Sequence, residues 1–452
     1  MKNEKTDNSS KEKIISRRRF MQASAAVAAF TIVPRHVLGQ GMTAPSEKLN
    51  IATVGAGGMA RSNIDNCNQE NLVAFCDPDD DRAADTYKTY PDVKKYKDFR
   101  RMLDKEGKNI DAVIVACPDH VHAAASIMAM KMGKHVYCQK PLTHTVYEAR
   151  KMTEVAKETG VVTQMGNQGH SSEQIRLERE WIQAGAVGDV HTVYAWTNRP
   201  VWQQGMARPT DTPSVRPGLD WDTWLGPAPV RPYHPMYLPF KWRGWYDFGT
   251  GALGDMGCHI IDHAFYALDL GLPSAVEAYA SKRVIEDWKP FKSDEAYPDA
   301  SVVRYEFPAR GSRGPVTLTW FDGGLKPPRP PQMEPERTMP EGGVIFIGDK
   351  GAMLEGRIVP ETKMREFKRP EKTIPRIEGS HEQNWINACK GAGPAPCANF
   401  SYAGPLTEAV LMGNVALRFE QRIEWDAKAF KVTNIPEAND MLHCQYRQGY
   451  AL

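Results

Sequence analysis

The sequence predicts an α/β protein: a Rossmann-type, doubly wound parallel sheet followed by an α+β domain with a large, mostly antiparallel sheet. Three observations carry this. Residues 49–60, LNIATVGAGGMA, pass from an apolar run into a glycine-rich turn and then into helix-compatible residues. Apolar strands and helical segments then alternate to about residue 168. Beyond residue 170, strands recur with few helices between them, as antiparallel neighbours do.

In the opening stretch, Leu49, Ile51, Ala52 and Val54 read as a strand buried on both faces. Gly55 and Gly57 lack a Cβ, so the chain can turn sharply and a pyrophosphate can approach its amides. The phosphate would rest on the free N–H groups of the next helix. Gly58, Met59 and Ala60, the last being the third position of G-x-G-x-x-G/A, complete the expected cofactor-binding turn. A second apolar run, Leu72 to Cys76, ends in Asp77. A carboxylate there accepts hydrogen bonds from an adenosine ribose and repels a 2′-phosphate. Asp79, Asp80 and Asp81 add negative charge and no arginine stands at the strand tip, so NAD is expected rather than NADP.

A third strand, Asp111 to Ala116, ends at Cys117-Pro118-Asp119-His120, and a helix follows from about His122 to Met132. The strand Lys134 to Cys138 ends at Gln139-Lys140-Pro141. After a helix from Thr145 to Thr159, the strand Val161 to Met165 ends at Gly166-Asn167-Gln168. Ligands of open α/β sheets sit at the carboxyl ends of strands. Gly55 to Gly58, Asp77, Pro118, Lys140 and Asn167 therefore form one candidate site. A helix over 174–184 precedes strands expected at 190–196, 275–280, 300–307, 316–321, 344–347 and 352–355. Between them, residues 198–250 hold nine prolines and five tryptophans. So long a loop in a compact domain is usually functional. Its aromatic rings suit a carbohydrate cleft, and equally a small core of its own or a subunit contact.

At 452 residues the chain exceeds the usual size of one core. Its 57 basic and 55 acidic residues nearly cancel, and no basic block follows the N-terminus, which weighs against nucleic-acid binding. Eight cysteines without a C-x-x-C pair exclude a disulfide scaffold; Cys76, Cys117 and Cys138 read as small hydrophobes. Residues 1–15 are polar and charged, as in a disordered leader. Ser16-Arg17-Arg18-Arg19-Phe20-Met21-Gln22 and the short apolar stretch Ala23 to Val33 resemble twin-arginine signals, which carry folded, cofactor-loaded proteins. Cleavage near Gly39, a periplasmic location and the twin-arginine export machinery as a partner are expected. The organisation expected is a signal and disordered segment over 1–40, a dinucleotide-binding domain over 48–168 and a substrate and oligomerisation domain over 169–452.

A helix opening at Gly251 and running to about Leu270 carries Asp255, His259 and His263 at i, i+4 and i+8, on one face. In one reading His259 is a general acid/base oriented by a carboxylate. In the other, the three residues bind a metal. The neighbouring nicotinamide site favours the first, with no metal.

The G-x-G-x-x-A turn, C-P-D-x-x-H (Cys117 to His122), Q-K-P-L (Gln139 to Leu142) and D-x-x-x-H (Asp255 to His259) resemble the glucose–fructose oxidoreductase / inositol dehydrogenase (Gfo/Idh/MocA) family. W-L-G-P-A-P (Trp224 to Pro229), W-R-G-W (Trp242 to Trp245) and G-A-L-G-D-M (Gly251 to Met256) are similar to a secreted branch of it. The resemblance implies a Rossmann domain, a largely antiparallel substrate domain and homo-oligomers formed through that sheet. It places the lysine of the family's E-K-P motif at Lys140 and the D-x-x-x-H pair at Asp255 and His259. Gln139 departs from the usual glutamate and removes a charge near Lys140.

The implied chemistry is hydride transfer between a sugar, glycoside or polyol CH–OH and a tightly bound NAD. His259 would take the hydroxyl proton, Lys140 would donate a hydrogen bond to the developing alkoxide or carbonyl oxygen, and Asp255 would fix both. Cys117, Pro118 and His122 are implied cofactor contacts, and Asn167 and His263 substrate contacts. The alternatives are an NAD-dependent glycoside hydrolase acting by transient sugar oxidation, a metal-dependent sugar isomerase, and a non-catalytic sugar-binding protein.

Overall fold

The computed structural model describes residues 47–452, and the expected twin-arginine segment lies outside the described residues. Six parallel strands form the first sheet: β1 (Asn50–Val54), β2 (Asn71–Cys76), β3 (Lys94–Tyr96), β4 (Ala112–Val115), β5 (His135–Cys138) and β6 (Thr163–Met165). Their spatial order is β3-β2-β1-β4-β5-β6. The helices of this part are α1 (Met59–Asn66), α2 (Asp80–Thr89), α3 (Phe99–Glu106), α4 (Asp119–Lys131) and α5 (Val146–Thr159). Strand order reverses between β1 and β4, and at such a switch point the chain leaves a crevice outside the carboxyl ends. Central β1 and β4 are apolar because both faces are covered; Ile51, Ala52, Val113 and Ile114 are fully buried. Edge strand β3 reads Lys94-Lys95-Tyr96, with both lysines exposed, so it carried no apolar signal. A capping box between Thr145 and Glu148 sets the start of α5, directly after Lys140-Pro141.

The second sheet has nine strands: β7 (Val190–Trp196), β8 (Ala275–Ala280), β11 (Ser301–Phe307), β12 (Val316–Phe321), β13 (Gly343–Gly348), β14 (Gly351–Leu354), β15 (Arg357–Val359), β16 (Ile423–Asp426) and β17 (Lys431–Val432). The hairpin β9 (Arg283–Glu286) and β10 (Lys289–Phe291) stands apart from it. All neighbouring strands of the nine are antiparallel except β7 and β12, which run parallel. Burial alternates along β11, with Val303, Tyr305 and Phe307 inward and Val302, Arg304 and Glu306 outward.

The remaining helices are α6 (Glu173–Gln183), α7 (Trp221–Leu225), α8 (Gly251–Ala267), α9 (Glu361–Glu366), α10 (His381–Cys389) and α11 (Phe400–Phe419). The inner face of the large sheet is covered by α8, against β7 and β13, and by α11, against β8 and β11. Helices α10 and α11 also reach the first sheet. Phe400 N–H donates to Thr163 Oγ1 (3.1 Å), Trp385 of α10 packs on Tyr137 (5.6 Å between ring centroids), and Arg150 of α5 pairs with Glu408 of α11. The two sheets thus share α11, from the end of the chain. No helix among the described residues is long and apolar enough to cross a membrane.

The proline- and tryptophan-rich segment forms a small core of its own. Trp224, Tyr237, Trp245 and Phe248 are buried together, with Trp221 stacked on Trp224 at 4.9 Å. One wall of that core, including Trp224, Phe240, Trp242 and Arg243, closes over the crevice of the first sheet.

Candidate active site

At the end of β1 the Gly55 N–H donates to Cys76 O of β2 (2.7 Å), and Gly55 takes a φ of +95°. A Cβ on Gly55 would stand 2.3 Å from Ala116 O, and one on Gly57 would stand 2.2 Å from Arg82 O. The backbone of three neighbouring segments therefore converges where no side chain fits, leaving a cradle at the start of α1. This cradle opens into a cavity of about 360 Å³ lined by Gly55, Gly57, Gly58, Met59, Asp77, Cys117, Pro118 and Lys140. Ala60 is fully buried beneath the cradle instead of lining it, its methyl serving close packing. Substituting Gly57 by alanine is expected to weaken NAD binding by about tenfold or more, measured by fluorescence titration, because the Arg82 carbonyl must move. Unchanged affinity would mean the cradle is not the phosphate site.

Asp77 is buried, with Oδ2 accepting from the Ala56 N–H (2.9 Å) and Oδ1 from the Asp79 N–H (3.0 Å). Burial outweighs these bonds and pushes its pKa up to about 6. Both carboxylate oxygens thus hold the turn itself. The expectation that no arginine attends this strand tip is corrected: α2 carries Arg82 back across the turn, its guanidinium against Gly58 and on the cavity wall, beside Lys97. Arg216, from the long loop, pairs with Asp79 and Asp81 and offsets the acidic cluster. Only the tertiary fold places these cations.

At the other end of the cavity, Lys140 Nζ donates to the Asp255 carbonyl (2.8 Å) and to Asp255 Oδ1 (3.0 Å). Arg243 Nε donates to the same Oδ1 (3.0 Å). Burial by itself would raise the Asp255 pKa, but the two cations outweigh it and lower it to about 2. Helix α8 is held over the crevice by Thr250, which donates to Asp119 Oδ2 (2.7 Å) at the start of α4.

Successive residues of α8 turn by about 100°, so His259 lies about 40° round from Asp255, His263 about 80°, Met256 about 100° and Asp262 about −20°. His259 is half-buried, and its imidazole makes no hydrogen bond with any described residue. Burial, with Lys140 adding to it, lowers its pKa to about 3, so the imidazole is neutral at pH 7. Asp262 accepts from Asn167 Nδ2 (2.9 Å), from His170 Nδ1 (2.9 Å) and from the Tyr402 hydroxyl (2.5 Å). Asn167, fully buried, is fixed by that bond and keeps Oδ1 without a partner.

His263 lies elsewhere. Its Nδ1 meets Glu178 Oε2 (2.5 Å), and it lines a separate cavity of about 290 Å³ with Arg199, Met256 and Ile260. Asp255, His259 and His263 share a stripe but do not converge, and no group of three His, Cys, Asp or Glu side chains among the described residues is placed to hold a metal.

His122 is also corrected. It is 1% exposed and absent from the cavity wall, with Nδ1 at Pro141 O (2.8 Å) and Nε2 at Cys117 O (2.9 Å). Both ring nitrogens are spent tying the end of β4 to the turn that carries Lys140. Gln139 turns away from Lys140, donating to Asn63 Oδ1 (2.9 Å), while Asn63 donates to Glu382 (2.7 Å). Sequence reasoning missed Arg243, Arg82 and the Asp262–His170–Tyr402 cluster. Arg243 lay inside W-R-G-W, a motif read for its tryptophans.

The Asp255 and His259 shifts both make acid destabilising, while that of Asp77, raised to about 6, acts the other way. The Asp255 pair stabilises the fold above 3.8, and that contribution is lost as pH falls toward 2. Below 6.5 the unfolded chain protonates at His259 while the folded protein stays neutral there, so stability falls as pH drops from 6.5 toward 3. Thermal unfolding midpoints measured against pH are expected to fall less steeply over that window in His259→Gln than in the wild type. Parallel curves would contradict the neutral, buried assignment.

Comparison with known proteins sets this site in context. Residues 49–167 match the model described as the oxidoreductase family, NAD-binding Rossmann fold, and residues 184–299 match the C-terminal alpha/beta domain of the same family. Together these matches span more than half of the chain.

The chain belongs to the Gfo/Idh/MocA oxidoreductase family.

Similar curated proteins include levoglucosan dehydrogenase of Pseudarthrobacter phenanthrenivorans, 27% identical over 55% of this chain and 53% of that protein. Another is the D-glucoside 3-dehydrogenase of Escherichia coli, 26% identical over 53% of this chain and 59% of that protein. The chain therefore spans little more than half the length of these relatives. Among solved structures, the WlbA dehydrogenase of Bordetella pertussis, in complex with NADH and UDP-GlcNAcA, shares the fold with a TM-score of 0.56 at 19% identity, over 84% of this chain and 99% of that one. Levoglucosan dehydrogenase in complex with NADH does so with a TM-score of 0.54 at 17% identity, over 83% and 99%. For this Gfo/Idh/MocA protein, the cofactor of the Rossmann crevice is NAD, and the glycine cradle fits its pyrophosphate.

Proposed function

We propose that this Gfo/Idh/MocA protein is an NAD-dependent dehydrogenase acting on a CH–OH group of a sugar, glycoside or polyol. The observation that carries the proposal is Lys140, on the wall of the NAD crevice and fixed on Asp255, acting electrostatically on the unpartnered imidazole of His259 one helical turn further on. The sugar and inositol dehydrogenase activities of the relatives support the substrate class.

Bound NAD supplies the acceptor for the hydride leaving the carbinol carbon. His259, neutral at pH 7 and free of competing hydrogen bonds, takes the hydroxyl proton. Lys140 donates a hydrogen bond to the oxygen as it gains carbonyl character, a preorganised electrostatic contribution. Asp255 holds the lysine in place and is itself held by Arg243. Asn167, wholly buried on Asp262 and lining neither the NAD crevice nor the His263 cavity, steadies α8 rather than meeting substrate.

The test is to purify the protein without added cofactor and record its absorbance before and after adding a panel of sugars and glycosides. Appearance or bleaching of the reduced-nicotinamide band with one sugar class is the expected result. A protein unable to bind NAD, or one that binds it and reduces it with no sugar or polyol, would overturn the proposal.

We further propose export by the twin-arginine route to the periplasm, on the frame Ser16-Arg17-Arg18-Arg19-Phe20, and homo-oligomers formed through the large sheet. Free NAD is scarce in that compartment, which favours a cofactor retained through turnover and regenerated on the enzyme. A redox-neutral cycle of oxidation, elimination, hydration and re-reduction, with net glycoside hydrolysis, meets that requirement. Rapid exchange of isotopically labelled NAD during turnover would sink this second reading.

A further inference from the structure

A cavity of about 400 Å³, sharing no lining residue with the NAD crevice, lies between the start of α5, the Pro227–Pro229 turn, α11 and the chain's C-terminal tail. Two of its polar groups are unused. Arg418 makes no ion pair or side-chain hydrogen bond among the described residues; its guanidinium stacks on Tyr246, 3.9 Å from the ring centroid, and Tyr246 rests on Tyr297 (4.4 Å). Asn414, 8% exposed, donates through Nδ2 to Thr250 O (2.9 Å) and to the Tyr297 hydroxyl (3.3 Å), while its buried Oδ1 has no partner. A buried acceptor without a donor is costly, and a guanidinium over a ring with no ion pair keeps its N–H fork free for a planar anion. Leu411 and Val415 supply an apolar wall.

We propose that this cavity binds a small hydroxylated monocarboxylate, with the carboxylate on Arg418 and its hydroxylated skeleton against Asn414 and the apolar wall. The charges present argue for a monoanion. Asp247 is already paired with Arg231, and Asp440 stands exposed at the rim, so a single unpaired cation faces the ligand. A dianionic phosphate would meet one compensating charge and a nearby carboxylate. A ring or polyol acid up to hexose size matches the volume and places its CH faces on the apolar wall.

The experiment is isothermal titration of the full-length, NAD-saturated protein with D-glucuronate, using D-glucose as the neutral counterpart of the same skeleton. The proposal expects glucuronate to bind with a Kd below about 10 mM. It expects binding to weaken at least about tenfold in Arg418→Gln, as loss of a charge-assisted pair requires, and to recover in part in Arg418→Lys. NAD affinity of both variants should equal that of the wild type, which shows that they are folded. Absence of glucuronate binding, equal binding to wild type and Arg418→Gln, or equal affinity for glucose would overturn it. A crystal soaked in D-glucuronate gives a readout free of variants: density bridging Arg418 and Asn414 supports the site, and density in the NAD crevice alone refutes it.

Discussion

Lys140→Met is expected to lower kcat by about 10²–10³, the usual loss when a preorganised donor to a developing oxyanion is removed. The lysine lies at the carboxyl end of β5, on the wall of the NAD crevice, and its Nζ is fixed by two bonds to Asp255. Methionine keeps most of the volume and loses the donor. NAD affinity should therefore change little, and the defect should fall on kcat rather than KM, since the bond tightens as charge develops. Some loss of stability is also expected, because removing one partner exposes a buried charge at a cost of about 3–5 kcal/mol when no other partner remains. Arg243 remains on Asp255, so the observed loss should be smaller. Steady-state kinetics with the responding sugar, together with thermal unfolding, separates the two effects. A kcat within a few-fold of wild type would show that the oxygen is stabilised elsewhere.

His259→Ala is expected to cost about 10²–10⁴ in kcat, the range for loss of a positioned acid/base. The wild-type acid limb of kcat/KM should lie on the acid side of 6.5, because burial and Lys140 lower the imidazole pKa toward 3. In the alanine variant that limb should vanish. A variant with normal kcat and an unchanged pH profile would move the base to another residue. The paired groups next in line are Asp262, one turn along α8, and His170, which meets it from the turn over residues 168–171.

The sequence by itself determined the first sheet and most of the second. Five of the six parallel strands announced themselves as apolar runs, since strands buried on both faces have no polar side to hide; β3 did not, being a three-residue edge strand with two exposed lysines. The glycine cradle was equally legible, because Gly55 and Gly57 occupy positions where backbone approach forbids a Cβ. Lys140, Asp255 and His259 could be named because each stands in a short local motif. What joins them could not. Arg243 reaches Asp255 from a loop, Arg82 folds back over Gly58, and Asp262 collects Asn167 and His170 from one turn and Tyr402 from another stretch, contacts up to 140 residues apart in the chain. His122 has the right motif, yet both its ring nitrogens are taken by carbonyls that only tertiary packing brings near. Local pattern dictates which backbone forms and which side chains are available. Hydrogen bonds and charges satisfied across long separations depend on three-dimensional distance, and that the fold alone decides.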